Sequence, residues 1–155
     1  MRVLITGMSG AGKSTLVMEL RRRGYVAYDA DDDGFSEKRG EGRWGWRADL
    51  VADLLADDPP GVLFFAGCSE EQASLPFDYR ILLTAPEAVL VERLSTRTTN
   101  SYGASAEQRS QVLADLAEIE PLLRRSADLV IATTARPSQV ADAVLERVLG
   151  SVRVV

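Results

Sequence analysis

The sequence predicts a three-layer α/β/α domain built on a five-stranded parallel sheet. Five short apolar runs alternate with segments whose apolar residues recur at helical spacing, which is the pattern of successive strand–helix–strand units. The run 62–65 contains no polar residue, as expected for a strand that is buried on both faces of a parallel sheet. A glycine-rich loop, 7–15, joins the first strand to the first helix. The 155 residues leave room for one domain, 1–155.

The first half of the chain contains two predicted strands and two predicted helices. A strand at 3–5 leads through the glycine-rich loop to a helix that Gly24 ends, as glycine does after many helices. A strand at 25–28 follows. The segment 35–47 has weak periodicity and is expected to be irregular. A helix whose apolar stripe begins at Trp46 then runs to an acidic, proline-containing turn.

The second half continues the alternation. Ser69 and Gln72 have capping-box spacing, which predicts a short helix after the strand at 62–65. A strand at 80–83 is followed by a helix that opens at Thr84-Ala85-Pro86-Glu87.

The last elements are two helices around one strand. Ser105 and Gln108 are expected to cap a helix that Pro121 breaks or bends. The strand 129–132 precedes a closing helix that is predicted to end at Gly150. For the tail, 151–155, an added strand and a frayed end are both open.

The loop Gly7-Met8-Ser9-Gly10-Ala11-Gly12-Lys13-Ser14-Thr15 matches the phosphate-binding pattern G-x-x-x-x-G-K-[ST], the P-loop. Gly7 and Gly12 allow close approach of a phosphate, Lys13 brings a positive charge to the β- and γ-phosphates, and the Ser14 hydroxyl can reach Mg²⁺. The alternative is a glycine-rich turn that binds nothing. Only two lysines occur in the chain, and one is at the required position. The sequence therefore predicts a P-loop that binds the phosphates of a nucleotide, with Ser14 available to Mg²⁺.

Composition excludes several kinds of chemistry. The chain has no histidine, so no imidazole can act as a base or a metal ligand. Cys68 is the single cysteine, so there is no intramolecular disulfide, and we expect it to be a small buried residue. The net charge of −5 makes nucleic acid an unfavoured partner. No apolar run is long enough to span a membrane and the P-loop leaves no space for a signal peptide, so we expect a cytoplasmic protein, monomeric or homodimeric.

Acidic residues follow the second predicted strand, where open α/β sheets bind ligands. Asp29 and Asp31 would face alike if the strand conformation continued. A hydroxyl that attacks a phosphoryl group must lose its proton, and a carboxylate is the available acceptor in a chain without histidine. The alternative is a solvated acidic turn, which is favoured for Asp32 and Asp33.

The P-loop does not by itself define the reaction, but two absences narrow the choice. The single asparagine, Asn100, does not belong to an Asn-Lys-x-Asp pattern of the kind that guanine-specific GTPases use. The run 62–65 ends without the acidic residue of a usual Walker B motif.

The sequence resembles the small P-loop kinases: shikimate kinase, gluconate kinase, dephospho-CoA kinase and the nucleoside monophosphate kinases. Asp29-Ala30-Asp31 resembles the Asp-x-Asp of shikimate kinases and the Asp-Ala-Asp of dephospho-CoA kinases. The resemblance implies that Asp29 reaches Mg²⁺ through water and that Asp31 contacts the hydroxyl of the substrate. It also implies a lid at 93–104, in which Arg93 and Arg97, four apart, neutralise the transferred phosphoryl group.

The same resemblance implies further contacts. Gly67 is placed like the substrate turn of shikimate kinases, although Ala66-Gly67-Cys68 departs from their Gly-Gly-Gly and puts shikimate itself in doubt. Arg136 lies where these kinases pass the adenine base and could stack on it, with a plain strand-to-helix turn as the alternative.

The segment 31–60 is expected to bind the substrate together with Asp31. Arg39, Arg43 and Arg47 recur four apart with Trp44 and Trp46 among them, a set that can hold an anionic or ring-bearing small molecule. The substrate contacts are assigned to Asp31, Arg43, Arg47 and Gly67. Core packing is the favoured role of Trp46.

The predicted function is an ATP-dependent small-molecule kinase. It transfers the γ-phosphoryl group to a hydroxyl of a metabolite, nucleoside or antibiotic, with a phosphate as the less favoured acceptor. Lys13, Asp31, Arg93 and Arg97 are the predicted catalytic residues, and Ser14 and Asp29 the predicted metal ligands. The alternatives are a nucleotide-binding regulatory ATPase with little turnover and a nucleic-acid end kinase.

Overall fold

The computed structural model describes residues 1–57, 60–96 and 105–152. The strands are β1 (Arg2–Thr6), β2 (Val26–Asp29), β3 (Ser36–Arg39), β4 (Arg43–Trp46), β5 (Leu63–Ala66), β6 (Tyr79–Thr84) and β7 (Leu129–Ala132). The helices are α1 (Lys13–Arg22), α2 (Ala48–Ala56), α3 (Glu87–Thr96), α4 (Ala106–Ser126) and α5 (Pro137–Val152), with a 3₁₀ turn at Glu70–Ala73.

The central sheet has five parallel strands in the order β2-β5-β1-β6-β7, which confirms the predicted fold class. β2 and β5 lie on one side of β1 in the sheet, and β6 and β7 lie on the other side. The strand order therefore reverses at β1, and the crevice at the carboxyl end of this strand is where such sheets bind ligands.

The helices cover both faces of the sheet. Val3 and Ile5 of β1 pack with the apolar side chains of α1 and α5 on one face, while Leu4 packs with α2 on the other. Alternate residues of β6 behave in the same way, since Ile81 faces α1 and α5 and Leu82 packs against α4. Strands that are buried on both faces explain why the central runs are continuously apolar.

Residues 35–47 form a β-hairpin rather than the irregular segment that the sequence predicts. β3 and β4 pair antiparallel, and Arg39 lies opposite Arg43, so the fourfold spacing of the arginines is not a helical one. The two strands are short and charged, so their sequences lack the apolar alternation that predicts a strand. Trp46 anchors the hairpin to the domain and is 2% exposed, confirming its core role.

Two smaller predictions were wrong, and a third was wrong in part. α4 runs through Pro121 without the break that was one of the two predicted effects of this residue; Pro121 is exposed, so the Ala117 carbonyl that it cannot bond lies near water. α5 continues past Gly150 to Val152, which leaves 153–155 outside the described residues. Cys68, two residues after the end of β5, is exposed and not buried.

The predicted caps are present at two helix starts. Ser69 and Gln72 form the capping box of the 3₁₀ turn, and Ser105 accepts a hydrogen bond from the Gln108 backbone N–H at 3.1 Å. The Thr84 hydroxyl instead donates to Glu120 of α4 at 2.7 Å, which ties the end of β6 to that helix.

No helix in the described ranges is long and apolar enough to cross a membrane.

Candidate functional site

The P-loop connects β1 to α1 at the carboxyl edge of the sheet. Gly7 and Gly12 have φ angles of 154° and 101°, which favour glycine. A Cβ on Gly7 would lie 2.6 Å from the carbonyl oxygen of Leu83, so the loop packs too closely on β6 for any side chain there. No side chain caps the start of α1, which leaves its first N–H groups available to an anion.

The side chain of Lys13 folds back over the loop. Its Nζ donates to the carbonyl oxygens of Gly7 at 2.6 Å and Met8 at 3.1 Å. The ammonium group therefore lies among the same main-chain groups that form the loop. This arrangement adds a full positive charge to the partial charge of the helix N-terminus.

Ser14 and Asp29 are joined across α1 and β2. The Ser14 hydroxyl donates to Oδ2 of Asp29 at 2.6 Å. Oδ1 of Asp29 accepts the backbone N–H groups of Asp31 at 3.0 Å and Asp32 at 3.3 Å. Asp29 is 4% exposed, so these bonds hold a nearly buried carboxylate in one orientation.

The donor set of Ser14 and Asp29 fits Mg²⁺. Both supply hard oxygen ligands, which Mg²⁺ prefers, and Mg²⁺ commonly keeps waters and phosphates as its other ligands. No group of three or more acidic or cysteine side chains that could hold a metal exists among the described residues. Mg²⁺ held by these two oxygens would leave its other coordination positions to water and phosphates.

Asp31 lies in a turn rather than in a continuation of β2. The strand ends at Asp29, and the Asp29 carbonyl accepts the N–H of Asp33 at 2.9 Å. The shared strand face that the sequence predicts for Asp29 and Asp31 is therefore absent. Asp31 is exposed, and its Oδ1 accepts the hydroxyl of Ser36, the first residue of the hairpin, at 2.6 Å.

The next two acidic residues have different surroundings. Asp33 forms an ion pair with Arg21 at 2.5 Å and accepts the Asp29 backbone N–H at 2.6 Å, so it has a structural role. The negative charge of Asp29, with partial burial and the charges of Asp31 and Asp33, raises the pKa of Asp32 above its usual value. An ionised Asp32 is thus held in a repulsive environment.

Exchanging Asp32 for Asn is expected to raise the melting temperature at neutral pH. The pKa of Asp32 is higher in the folded state than in the unfolded state. The folded protein therefore loses stability as pH rises from the unfolded-state pKa through the folded-state pKa, and at higher pH this loss remains. The gain should therefore be smaller at pH 3, measured by thermal unfolding at both pH values. Asp33→Asn, which breaks the Arg21 pair, should lower the melting temperature at neutral pH. An Asp32→Asn gain that is larger at pH 3 would contradict this explanation.

Arg93 and Thr133 brace the P-loop from the side opposite Asp29. Arg93 donates to the Gly10 carbonyl and to the Thr133 hydroxyl, both at 3.0 Å, and to the Thr133 carbonyl. The Thr133 hydroxyl in turn donates to the Ala11 carbonyl at 2.6 Å. Thr133 is 6% exposed, so this network fixes two carbonyls of the loop against α3 and the end of β7.

One cavity of about 680 Å³ joins these groups, a volume within the range of small-ligand sites. The P-loop and the start of α1 line the cavity, together with Asp31 and Asp32, which follow the edge strand β2, and with Arg93, Thr133 and the loop before α5, which lie beside β7 at the other edge of the sheet. The lining residues are Ser9, Gly10, Gly12, Lys13, Ser14, Thr15, Leu16, Met18, Asp31, Asp32, Arg93, Thr96, Thr133, Ala135, Pro137 and Val140.

Other residues predicted for the site do not line this cavity. Arg136 is exposed, and its neighbours Ala135 and Pro137 provide the wall instead. Gly67 is buried under Trp46, where a Cβ would lie 2.7 Å from the indole ring, so packing alone requires a glycine there. Arg43 and Arg47 are exposed on and after β4. Arg97 and most of the predicted lid, 97–104, lie outside the described residues.

Two contributors, Thr133 and Ser36, are not among the site residues that the sequence predicts. Thr133 follows β7, and the carboxyl ends of parallel strands meet at one edge, so its position alone could have indicated proximity to the P-loop. Ser36 could not be found without the hairpin, since its contact with Asp31 depends on how the chain turns at 30–35.

The chain is similar to a known domain family and to a curated protein. A family model described as an AAA domain matches residues 3–114. A nucleotide-binding protein of Rhodospirillum rubrum is 28% identical over 148 residues, an alignment that covers 93% of this chain and 46% of that protein. The chain thus spans about half the length of the curated relative it matches.

Solved structures resemble the whole chain. A shikimate kinase from Acinetobacter baumannii in complex with shikimate has a TM-score of 0.68 at 23% identity, covering 97% of this chain and 93% of that one. A gluconokinase from Sinorhizobium meliloti 1021 has a TM-score of 0.65 at 19% identity, with coverages of 98% and 95%. A sugar kinase from Janibacter sp. HTCC2649 has a TM-score of 0.63 at 23% identity, with coverages of 93% and 91%. At these identities the likeness establishes the fold.

The chain therefore belongs to the AAA domain family and has the P-loop kinase fold of shikimate kinase and gluconokinase.

Proposed function

We propose that this protein is an ATP-dependent kinase that phosphorylates a hydroxyl group of a small molecule. The observation that carries the proposal is the single cavity that has the P-loop as its floor and the exposed carboxylate of Asp31 at one end. A phosphate donor and a hydroxyl acceptor can thus meet in a space bounded by described residues. The kinase names of the structural neighbours support the same reaction class.

The phosphate end of ATP would lie on the P-loop. The uncapped N–H groups of α1 and the loop amides would donate to the phosphate oxygens, and Lys13 would move from the Gly7 and Met8 carbonyls to the β- and γ-phosphates. The brace between Arg93 and Thr133 keeps the Gly10 and Ala11 carbonyls turned away from the anion, because both already accept hydrogen bonds.

Ser14 would hold Mg²⁺ directly and Asp29 would hold it through water. When bound, the ion would neutralise charge between the β- and γ-phosphates. The existing hydrogen bond between the two side chains keeps their oxygens on the same side of α1, so little rearrangement is needed.

Asp31 would orient the acceptor and remove its proton. The acceptor hydroxyl oxygen forms a bond to the γ-phosphorus, the bond from that phosphorus to the bridging oxygen of ADP breaks, and ADP leaves with the electron pair. The hydroxyl proton passes to the Asp31 carboxylate. Ser36 donates to Oδ1 of Asp31, which fixes the carboxylate while Oδ2 has no donor among the described residues.

The nucleoside end of ATP would lie toward Thr133, Ala135 and Pro137, which line the far end of the cavity. Arg93 borders this end and would keep the loop braced through Gly10 and Thr133, while Arg97 of the lid segment 93–104 would supply positive charge to the transferred group. A phosphate acceptor is less favoured, because Asp31 and Asp32 would repel it at the acceptor end.

A phosphorylation screen tests the proposal. Purified protein, ATP and Mg²⁺ are incubated with hydroxylated metabolites, nucleosides and aminoglycosides, and products are detected by the mass of one added phosphoryl group. We expect ADP formation that depends on one class of acceptor. Oligonucleotides with a 5′-hydroxyl form a separate arm that tests an end kinase, whose binding would weaken steeply with salt.

A regulatory nucleotide-binding protein with little turnover is the second candidate. It is supported by the curated relative, whose name states nucleotide binding only and of which this chain covers 46%. Tight ATP binding with negligible hydrolysis and no phosphorylated product across the screen would favour this candidate over the kinase.

A further inference from the structure

Ser36, the first residue of β3, presents its hydroxyl group to the carboxylate that we assign as the base. Its Oγ donates to Oδ1 of Asp31 at 2.6 Å. Asp31 lines the same cavity as Lys13 and Ser14 of the P-loop. An acceptor hydroxyl must lie within hydrogen-bond reach of its general base, and the Ser36 hydroxyl already meets this condition.

The backbone before Ser36 is held in place without the help of this hydroxyl. The Phe35 N–H donates to the Ala30 carbonyl at 3.0 Å, and the Phe35 carbonyl accepts the Arg47 N–H at 2.6 Å. The Phe35 ring packs edge-on against Phe65, with 5.3 Å between the ring centroids. The turn therefore does not depend on the Ser36 hydroxyl, which these contacts present in one place, as a reacting group requires.

Three hydroxyl groups that line the cavity have other partners. Ser14 donates to Asp29, with which it forms the candidate metal site. Thr96 and Thr133 donate to main-chain carbonyl groups. Compared with these three, the Ser36 hydroxyl is the one that is bonded to a carboxylate outside the candidate metal site. A hydroxyl paired with a base is the arrangement that activates a nucleophile.

We propose that Ser36 is a phosphorylation site that the protein modifies itself, within one chain, with ATP as the phosphoryl donor. This inference rests on the proposed kinase function, because it uses the same P-loop and the same base. The Ser36 oxygen forms a bond to the γ-phosphorus, and the bond between that phosphorus and the bridging oxygen of ADP breaks. ADP leaves with the electron pair, and the serine proton passes to Oδ1 of Asp31.

Transfer within one chain follows from the position of the three groups. Asp31 joins β2 to the hairpin that begins at Ser36, and the cavity that Asp31 lines belongs to the same chain as its P-loop. A nucleophile held next to its base reacts at a high effective concentration. A small-molecule acceptor needs the same carboxylate and the same phosphoryl group, so a bound acceptor should slow the modification of Ser36.

The test incubates the full chain with ATP and Mg²⁺ and without an added acceptor. Cleavage after Arg23 and Lys38 releases the peptide 24–38, in which Ser36 is the single serine or threonine. We expect this peptide to gain the mass of one phosphoryl group, and fragmentation to place the group on Ser36. A peptide 24–38 that stays unmodified, or a phosphoryl group found elsewhere in the chain only, would overturn the inference.

Variants separate a reacting hydroxyl from a structural one. Ser36→Ala should abolish the modification and Ser36→Thr should retain it, while Ser110→Ala, which removes an exposed hydroxyl from α4, is the matched control. Asp31→Asn can still accept the Ser36 hydrogen bond but cannot take the proton, so it should slow the modification at least about 10²-fold. An unchanged rate in Asp31→Asn, or equal phosphorylation of Ser36→Ala, would contradict the proposal. Thermal unfolding checks that each variant folds.

A mixing experiment tests transfer within one chain. Lys13→Ala differs in mass from the original protein, so the two chains can be incubated together and distinguished afterwards. The Lys13→Ala chain should stay unmodified at Ser36, and the rate per active chain should not depend on protein concentration. Modification of Lys13→Ala by the active protein would show transfer between chains instead.

The search for a small-molecule acceptor, run on the same preparation, distinguishes this inference from the proposed function. A phosphorylated small molecule, with the peptide 24–38 unmodified in the absence of acceptor, would keep the kinase and remove the Ser36 site. Phosphorylation of Ser36 with no phosphorylated small molecule would keep the Ser36 site and remove the small-molecule acceptor. The absence of both products would remove both proposals.

Discussion

Replacing Lys13 with alanine is expected to abolish phosphoryl transfer. The ammonium group is the one full positive charge that the P-loop itself carries, and it lies 2.6 Å from the carbonyl oxygen of Gly7, the first residue of the loop. Loss of a charged group that stabilises the transferring phosphoryl should lower kcat by at least about 10²–10³-fold, the scale seen for removal of a single preorganised donor. The measurement is kcat and KM for ATP with the acceptor found by screening.

The Lys13 result needs a control for lost charge and lost structure. Arg22→Ala removes a positive charge from the exposed end of α1, far from the loop, and should leave transfer unchanged. Thermal unfolding checks that Lys13→Ala still folds. Transfer by Lys13→Ala within tenfold of the original protein would show that the amides alone stabilise the phosphates.

The Asp31→Asn variant should lose turnover while keeping its affinity for ATP. The amide can still accept the Ser36 hydroxyl, so the turn at 30–33 should be retained, but it cannot take a proton. Loss of a positioned general base costs about 10²–10⁴-fold in rate. Steady-state kinetics gives kcat, and calorimetric titration of ATP with Mg²⁺ gives the affinity.

Asp29→Asn is the contrasting variant. Asp29 accepts the Ser14 hydroxyl and two backbone N–H groups, so its replacement should weaken Mg²⁺-dependent ATP binding. If Asp31→Asn lowered ATP affinity as much as it lowered turnover, Asp31 would belong to the nucleotide site and not to the acceptor site.

The sheet and the P-loop could be predicted from the sequence because each depends on local patterns. The apolar run 62–65 identifies a strand that is buried on both faces, and β5 is fully buried as expected. The loop pattern requires glycines at fixed positions, and the structure gives Gly7, Gly10 and Gly12 positive φ angles. Trp46 begins an apolar stripe, and its burial follows from that stripe.

The hairpin and the brace could not be predicted for a physical reason. β3 and β4 have four residues each, carry charges on both faces and bury only Gly45 and Trp46, so no hydrophobic alternation marks them. Arg93 and Thr133 are 40 residues apart, and their contact arises only where α3 and β7 meet the loop. The resemblance to kinase lids predicts that Arg93 contacts the transferred phosphoryl group, whereas in the structure it donates to Gly10 and Thr133.

The hydroxyl of Thr133 has a consequence for how homologous chains can diverge. It accepts a hydrogen bond from Arg93, which is partly buried, and donates one to the Ala11 carbonyl, which is buried. A valine at this position would fit the same space, but it would leave an N–H group of Arg93 and the Ala11 carbonyl without the hydrogen bonds that the hydroxyl makes. Positions 93 and 133 should therefore change together during evolution: lineages that keep arginine at the first should keep serine or threonine at the second.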